Sequence, residues 1–129
     1  LVLSEESQDL AKGTLSAVEI TGHGKATIEE TVNSVFVEAG FEVSPAGKLV
    51  FERPGSRADR AAYGTWFEQD VRIRMRVEIL PQGRGRHLVL CRSYVVRGSG
   101  GSTEDEQKLA RRRVREYEGL LTEVASRLN

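Results

Sequence analysis

The sequence is poor in several residue types that carry chemistry. Its 129 residues hold one cysteine, one methionine, one tryptophan, three prolines and two histidines. A lone cysteine leaves no internal disulfide and no cysteine-based zinc site. Cys91 sits mid-strand among apolar neighbours, the setting of a small buried hydrophobe rather than a reactive thiol. His23 and His87 have no second histidine or carboxylate at ligand spacing, so no metal is expected. No apolar run approaches the ~20 residues of a membrane span. There is no Gly-x-Ser-x-Gly elbow and no cysteine–histidine pairing. Gly24-Lys25-Ala26-Thr27 resembles the end of a phosphate-binding loop, but Glu19 stands where the first glycine belongs and Ala26 where the magnesium-binding hydroxyl belongs. With no local motif for catalysis, the expectation is a non-enzymatic chain without a cofactor.

What the chain does have is a long two-stranded element. Val71, Ile73, Met75, Val77 and Ile79 alternate with Arg72, Arg74, Arg76 and Glu78. Strict period-two alternation marks a half-buried antiparallel strand. Pro81 to Arg86 reads as the turn, and His87 to Arg97 as the returning arm. That arm is apolar on both sides. Because Arg92 matches the arginine face of the first arm, Val89, Cys91 and Val95 are placed inward. Leu88, Leu90, Tyr94 and Val96 then lie among the arginine stems. Formal net charge is zero, yet residues 70–97 carry seven arginines against Asp70 and Glu78. Neutrality over the whole chain counts against a specific nucleic-acid binder.

The other elements follow in order. Residues 1–15 read as a loose arm, and residues 16–129 as a single α+β domain. Ser16–Thr21 is a first short strand. Thr27-Ile28-Glu29-Glu30 has the form of a capping box, followed by an apolar stripe of Ile28, Val32, Val35, Phe36 and Ala39. Gly40 ends that helix, and Phe41 and Val43 are expected to pack back on the core. Lys48–Arg53 is a second strand. Residues 56–69 read as a packed flap or a functional loop, with a helical turn opening at Ser56. After Gly98-Ser99-Gly100-Gly101, Ser102 caps one long helix with Glu104, Asp105 and Glu106 in its first turn. Its stripe runs Ala110, Val114, Tyr117, Leu121, Val124 and Leu128. Arg111-Arg112-Arg113 is balanced by acids on the same helix and reads as a solvated, paired face.

The order strand–helix–strand–flap–strand–strand–helix predicts a two-layer α+β domain: a four-stranded antiparallel sheet with two helices on one face, in a helix-grip-like arrangement. Two candidate sites follow. Stacked arginines on neighbouring strands repel unless something neutralises them. Arg72, Arg74, Arg76 and Arg92 with Tyr94 therefore read either as an exposed face whose stems cover apolar side chains, or as a surface for a protein partner or self-association. The alternative is a small-molecule pocket between the sheet and the long helix, with Tyr63 and Trp66 as its lid.

The element order, the Thr27–Gly40 helix followed by Phe41-Glu42-Val43, and the paired long strands resemble the small C-terminal domains of BamC-type bacterial envelope lipoproteins. The resemblance covers roughly residues 16–128. It implies an accessory or scaffold domain in the bacterial cell envelope or periplasm. Any membrane attachment would come through an N-terminal anchor trimmed ahead of Leu1. It carries over no functional residue.

Overall fold

The computed structural model describes residues 16–63, 70–98, 104–109, 117 and 119–129. These form β1 (Ser16–Thr21), α1 (Lys25–Glu38), β2 (Glu42–Val43), β3 (Val50–Pro54), α2 (Arg57–Tyr63), β4 (Val71–Gly83), β5 (Arg86–Arg97), β6 (Asp105–Lys108) and α3 (Gly119–Leu128). The fold is α+β with an antiparallel sheet, as the alternation in β4 predicts. The sheet has six strands rather than four, in the order β1-β5-β4-β3-β2, with β6 also on β5. β1 pairs with Arg86–Cys91 and β6 with Tyr94–Arg97, so the two share one edge of β5 in succession.

The β4–β5 hairpin is longer and its turn tighter than the sequence suggests. Arg84 and Gly85 both take positive φ, +55° and +71°. Two such central residues make the type I′ turn whose twist matches the flanking strands. An irregularity between Pro81 and Gly83 absorbs the proline, which has no amide to give the ladder.

The inward face packs as expected. Val71, Ile73, Met75, Val77 and Ile79 join Val89, Cys91 and Val95 in one buried cluster with Val18, Ile20 and Phe51. Helix α1 adds Ile28, Val32, Val35 and Phe36, and α3 adds Leu121 and Val124. Phe36 stacks on Phe51 at 4.7 Å between ring centroids and meets Phe41 edge-on at 5.7 Å. Both geometries suit the ring quadrupole.

Helix ends depart from expectation in an instructive way. Helix α1 starts two residues before Thr27, with Gly24 as N-cap and no side-chain cap. The Gly24 carbonyl already accepts from the Ile28 amide, so Thr27 lies inside the first turn and its capping box does not form. A reciprocal cap appears instead at α2. There Asp59 accepts from the Ser56 amide at 2.8 Å, and the Ser56 hydroxyl accepts from the Asp59 amide at 3.2 Å. Gly40, at φ +94°, ends α1 as predicted. The Phe41 amide reaches Phe36 O and the Gly40 amide reaches Val37 O, the two bonds of a Schellman cap. Phe41 is buried, but Val43 is 58% exposed on β2, a two-residue edge strand.

The largest correction is at the C-terminal end. Residues 105–108 are a strand, not the first turns of a helix, and among the described residues the C-terminal helix is α3, Gly119–Leu128. The acids that would favour a helix start instead meet arginines on the sheet. Helix α3 is tied down at its end, where His23 Nε2 donates to Leu128 O at 2.7 Å. Arg127 bridges Glu38 at 2.7 Å and Glu123 at 3.1 Å, and these carboxylates raise its pKa further above the ordinary arginine value.

Cys91 lies in the core beside Met75 and Ser93. Burial pushes its thiol up to about 12 from 9.0, with Ser93 pulling slightly the other way. A thiol held neutral in the folded state contributes stability that is fully present below pH 9 and is lost as the pH rises toward 12. The stability gap between the wild type and Cys91→Ala should therefore narrow above pH 9 in urea titrations. Iodoacetamide should leave the native thiol unmodified at pH 8 and label it only after unfolding.

Candidate functional site

The outer face of the sheet brings together Arg72, Arg74, Arg76, Arg92 and Tyr94, as the alternation predicts. Pleating puts the β4 arginines on one side, and the hairpin register sets Arg74 opposite Tyr94 and Arg76 opposite Arg92. A pair of like charges facing each other across two strands is unfavourable alone. Each has its own carboxylate. Arg92 pairs with Glu78, and Arg76 donates from Nε to Glu106 at 2.9 Å.

Glu52 is the hub. It projects from β3 opposite Arg74 and is only 5% exposed. One oxygen accepts from Arg72 Nε at 3.1 Å, the other from Arg74 Nε at 3.0 Å. The Ser44 hydroxyl, from the β2–β3 turn, donates to the same carboxylate. Arg74 is 3% exposed and reaches Glu104 at 2.9 Å and Glu106 at 3.4 Å as well. Burial alone would lower the Arg74 pKa. The hydrogen bond to Glu104 and the charge of Glu52 outweigh it and raise the value. Arg97 pairs with Asp105 at the edge. Val96, Leu88 and Leu90 are buried on this outer side, so β5 is apolar and covered on both faces.

The arginine ladder is therefore not an open cationic surface. Acids from three separate stretches neutralise it: Glu42 and Glu52, then Glu78, then Glu104–Glu106. One of its members differs in kind from the others. Arg74 is an internal residue of the fold. Arg76 and Arg92 are half-buried, with Arg76 lying 5.8 Å from the centre of the Tyr94 ring.

Sequence reasoning missed a second cation site. Arg53 continues the core face of β3 and lies between the rings of Phe41 at 5.3 Å and Tyr117 at 4.9 Å. Its Nη2 donates to the Tyr117 hydroxyl at 2.9 Å. The aromatic spacing across residues 41, 53 and 117 leaves no local pattern from which this box could be read.

Trp66 and the side chain of Tyr63 lie outside the described residues, as do Arg111–Arg113. A shallow groove of about 290 Å³ runs between the start of α1 and the β3–β4 pair. Leu49, Val77 and Ile79 are part of its lining, along with Lys25 and the Lys48–Glu29 ion pair at 3.0 Å. His23 is engaged by α3, while His87 heads β5 with a buried Nδ1 that has no hydrogen-bond partner. Among the described residues, no three His, Cys, Asp or Glu side chains are grouped to hold a metal ion. None of the described helices is long and apolar enough to cross a membrane.

Removing one partner of a buried ion pair leaves the other charge uncompensated, at a cost of about 3 kcal/mol. Glu52→Ala should lose stability on that scale in urea titrations. Replacing both Glu52 and Arg74 by methionine should recover part of the loss, because the buried Arg74 charge goes with its partner, while Arg72 and Glu104, which lose theirs, are closer to solvent. A double variant no more stable than Glu52→Ala would show that packing, not charge, dominates there.

Comparison with family models, curated proteins and solved structures returned no match to this chain.

Proposed function

We propose that the chain is a non-enzymatic accessory or scaffold domain that works through protein contacts on the outer face of its sheet. The observation that carries this reading is the state of Arg76 and Arg92. Their guanidinium groups are half-exposed yet held by Glu106 and Glu78, with Arg76 over the Tyr94 ring. Side chains already held in place lose little freedom when a partner binds, which favours their use in recognition. Arginine with tyrosine is also the composition that interface cores favour. A bacterial-envelope setting, by analogy with BamC-type domains, rests on the helix that Gly40 ends, on the Phe41-Glu42-Val43 segment that follows it and on the paired long strands.

The test separates surface from fold. Arg76→Gln/Arg92→Gln should keep the wild-type circular dichroism spectrum, since both groups lie at the rim of the ionic network. In sedimentation velocity and in affinity capture from envelope extracts, the wild type should self-associate or retain a discrete protein that the double variant loses. Identical behaviour of the two proteins in both assays would overturn the reading.

A further inference from the structure

Strand β6 is held mainly by charge. All four of its residues are exposed or half-buried, and its apolar anchor is the next residue, Leu109. Glu104 and Glu106, two apart in an extended chain, both reach over the outer face to Arg74, and Glu106 also reaches Arg76. Asp105 has the opposite parity and pairs with Arg97. Among the described residues, the backbone ladder joins β6 to Tyr94–Arg97 of β5, and Leu109 N donates to Ser93 O at 3.1 Å to close it.

That is the way an added strand is recognised. Ladder hydrogen bonds supply sequence-independent affinity, and alternate side chains supply specificity. Half-exposed ion pairs each contribute little, and short exposed strands belong to the least stable part of a fold. Of the cations beneath β6, Arg74 keeps a carboxylate without it, Glu52 from β3, whereas Arg76 and Arg97 meet Glu106 and Asp105 of β6 itself.

We propose that the β5 edge at Tyr94–Arg97, ringed by Arg74, Arg76 and Arg97, is a docking site for an extended acidic peptide of a partner protein. Residues 104–108 are its resident occupant. The inference rests on the outer face being the contact surface and names the chemistry that face selects: acids two apart, with a third between them on the opposite side. A resident strand tethered in the same chain competes at an effective concentration near millimolar. A partner peptide must therefore be presented at high local concentration, or extend past β6 toward Arg92.

The probe is a blocked, fluorescently labelled peptide, Glu-Asp-Glu-Gln-Lys-Leu, titrated into the full chain and into Glu104→Gln/Glu106→Gln. Anisotropy should show at least tenfold tighter binding to the variant, because its resident strand competes poorly. Binding should weaken as salt rises from roughly 0.05 to 0.5 M. The blocked peptide Gln-Asn-Gln-Gln-Lys-Leu, which lacks the three acids, should not bind. No binding to a folded variant, or equal binding of both peptides, overturns the proposal, and so does a variant that dimerises without taking up peptide. Should the variant lose its fold, hydrogen exchange of the wild type decides. Excess acidic peptide should speed exchange at residues 105–108 while β5 stays protected, and unchanged exchange overturns the proposal. Partner capture that depends on Arg76 and Arg92 without any peptide binding would remove this inference and leave the outer-face reading standing.

Discussion

A single buried carboxylate organises the sheet. Glu52 accepts hydrogen bonds from Arg72, Arg74 and Ser44, and so ties the β2–β3 turn, β3 and β4 together on the outer face. A buried ion pair adds little net stability over an apolar pair of the same size. Its effect here is on register. Sliding β3 by one residue against β4 would turn Phe51 out of the core and Glu52 in toward Phe36 and Met75, where no arginine waits. The charge network makes that alternative far worse than the native pairing.

This matters because hydrophobicity alone does not orient the sheet. β5 offers Val89, Cys91 and Val95 on one side and Leu88, Leu90 and Val96 on the other, and all six are buried. Either set could serve as a core face. The arginines of β4 decide, and the Arg84-Gly85 turn transmits the decision to β5 through the hairpin register. With the inward face settled, α1 and α3 close over it through Phe36, Val32, Leu121 and Val124.

The parts legible in the sequence were those with a local period or a local cap. Alternation in residues 71–79 gave β4 and its inward face, the stripe from Ile28 to Phe36 gave α1, and Gly40 gave its end. The arginine cluster was legible as a group, but its state was not. Apart from Glu78, its neutralising acids lie at residues 42, 52 and 104–106, and nothing in the local pattern reveals a pairing between segments so far apart. The same acids misled the reading of the C-terminal part. Ser102 followed by Glu104, Asp105 and Glu106 has the local signature of a helix start, and the tertiary pull of Arg74, Arg76 and Arg97 overrides it. The Thr27 capping box failed for a smaller reason: a glycine three residues earlier serves as the cap at little cost. The same motif succeeds at Ser56–Asp59, where no competing start precedes it.

The central claim is that residues 104–108 lie on the sheet and neutralise its arginines. A double-mutant cycle between Arg74 and Glu104, with Arg74→Met and Glu104→Gln measured singly and together by urea titration, tests it most directly. Groups in one network couple by about 0.5–3 kcal/mol, whereas independent sites add to within a few tenths. The structure predicts a coupling inside that range that shrinks as salt is raised. Strict additivity would contradict it.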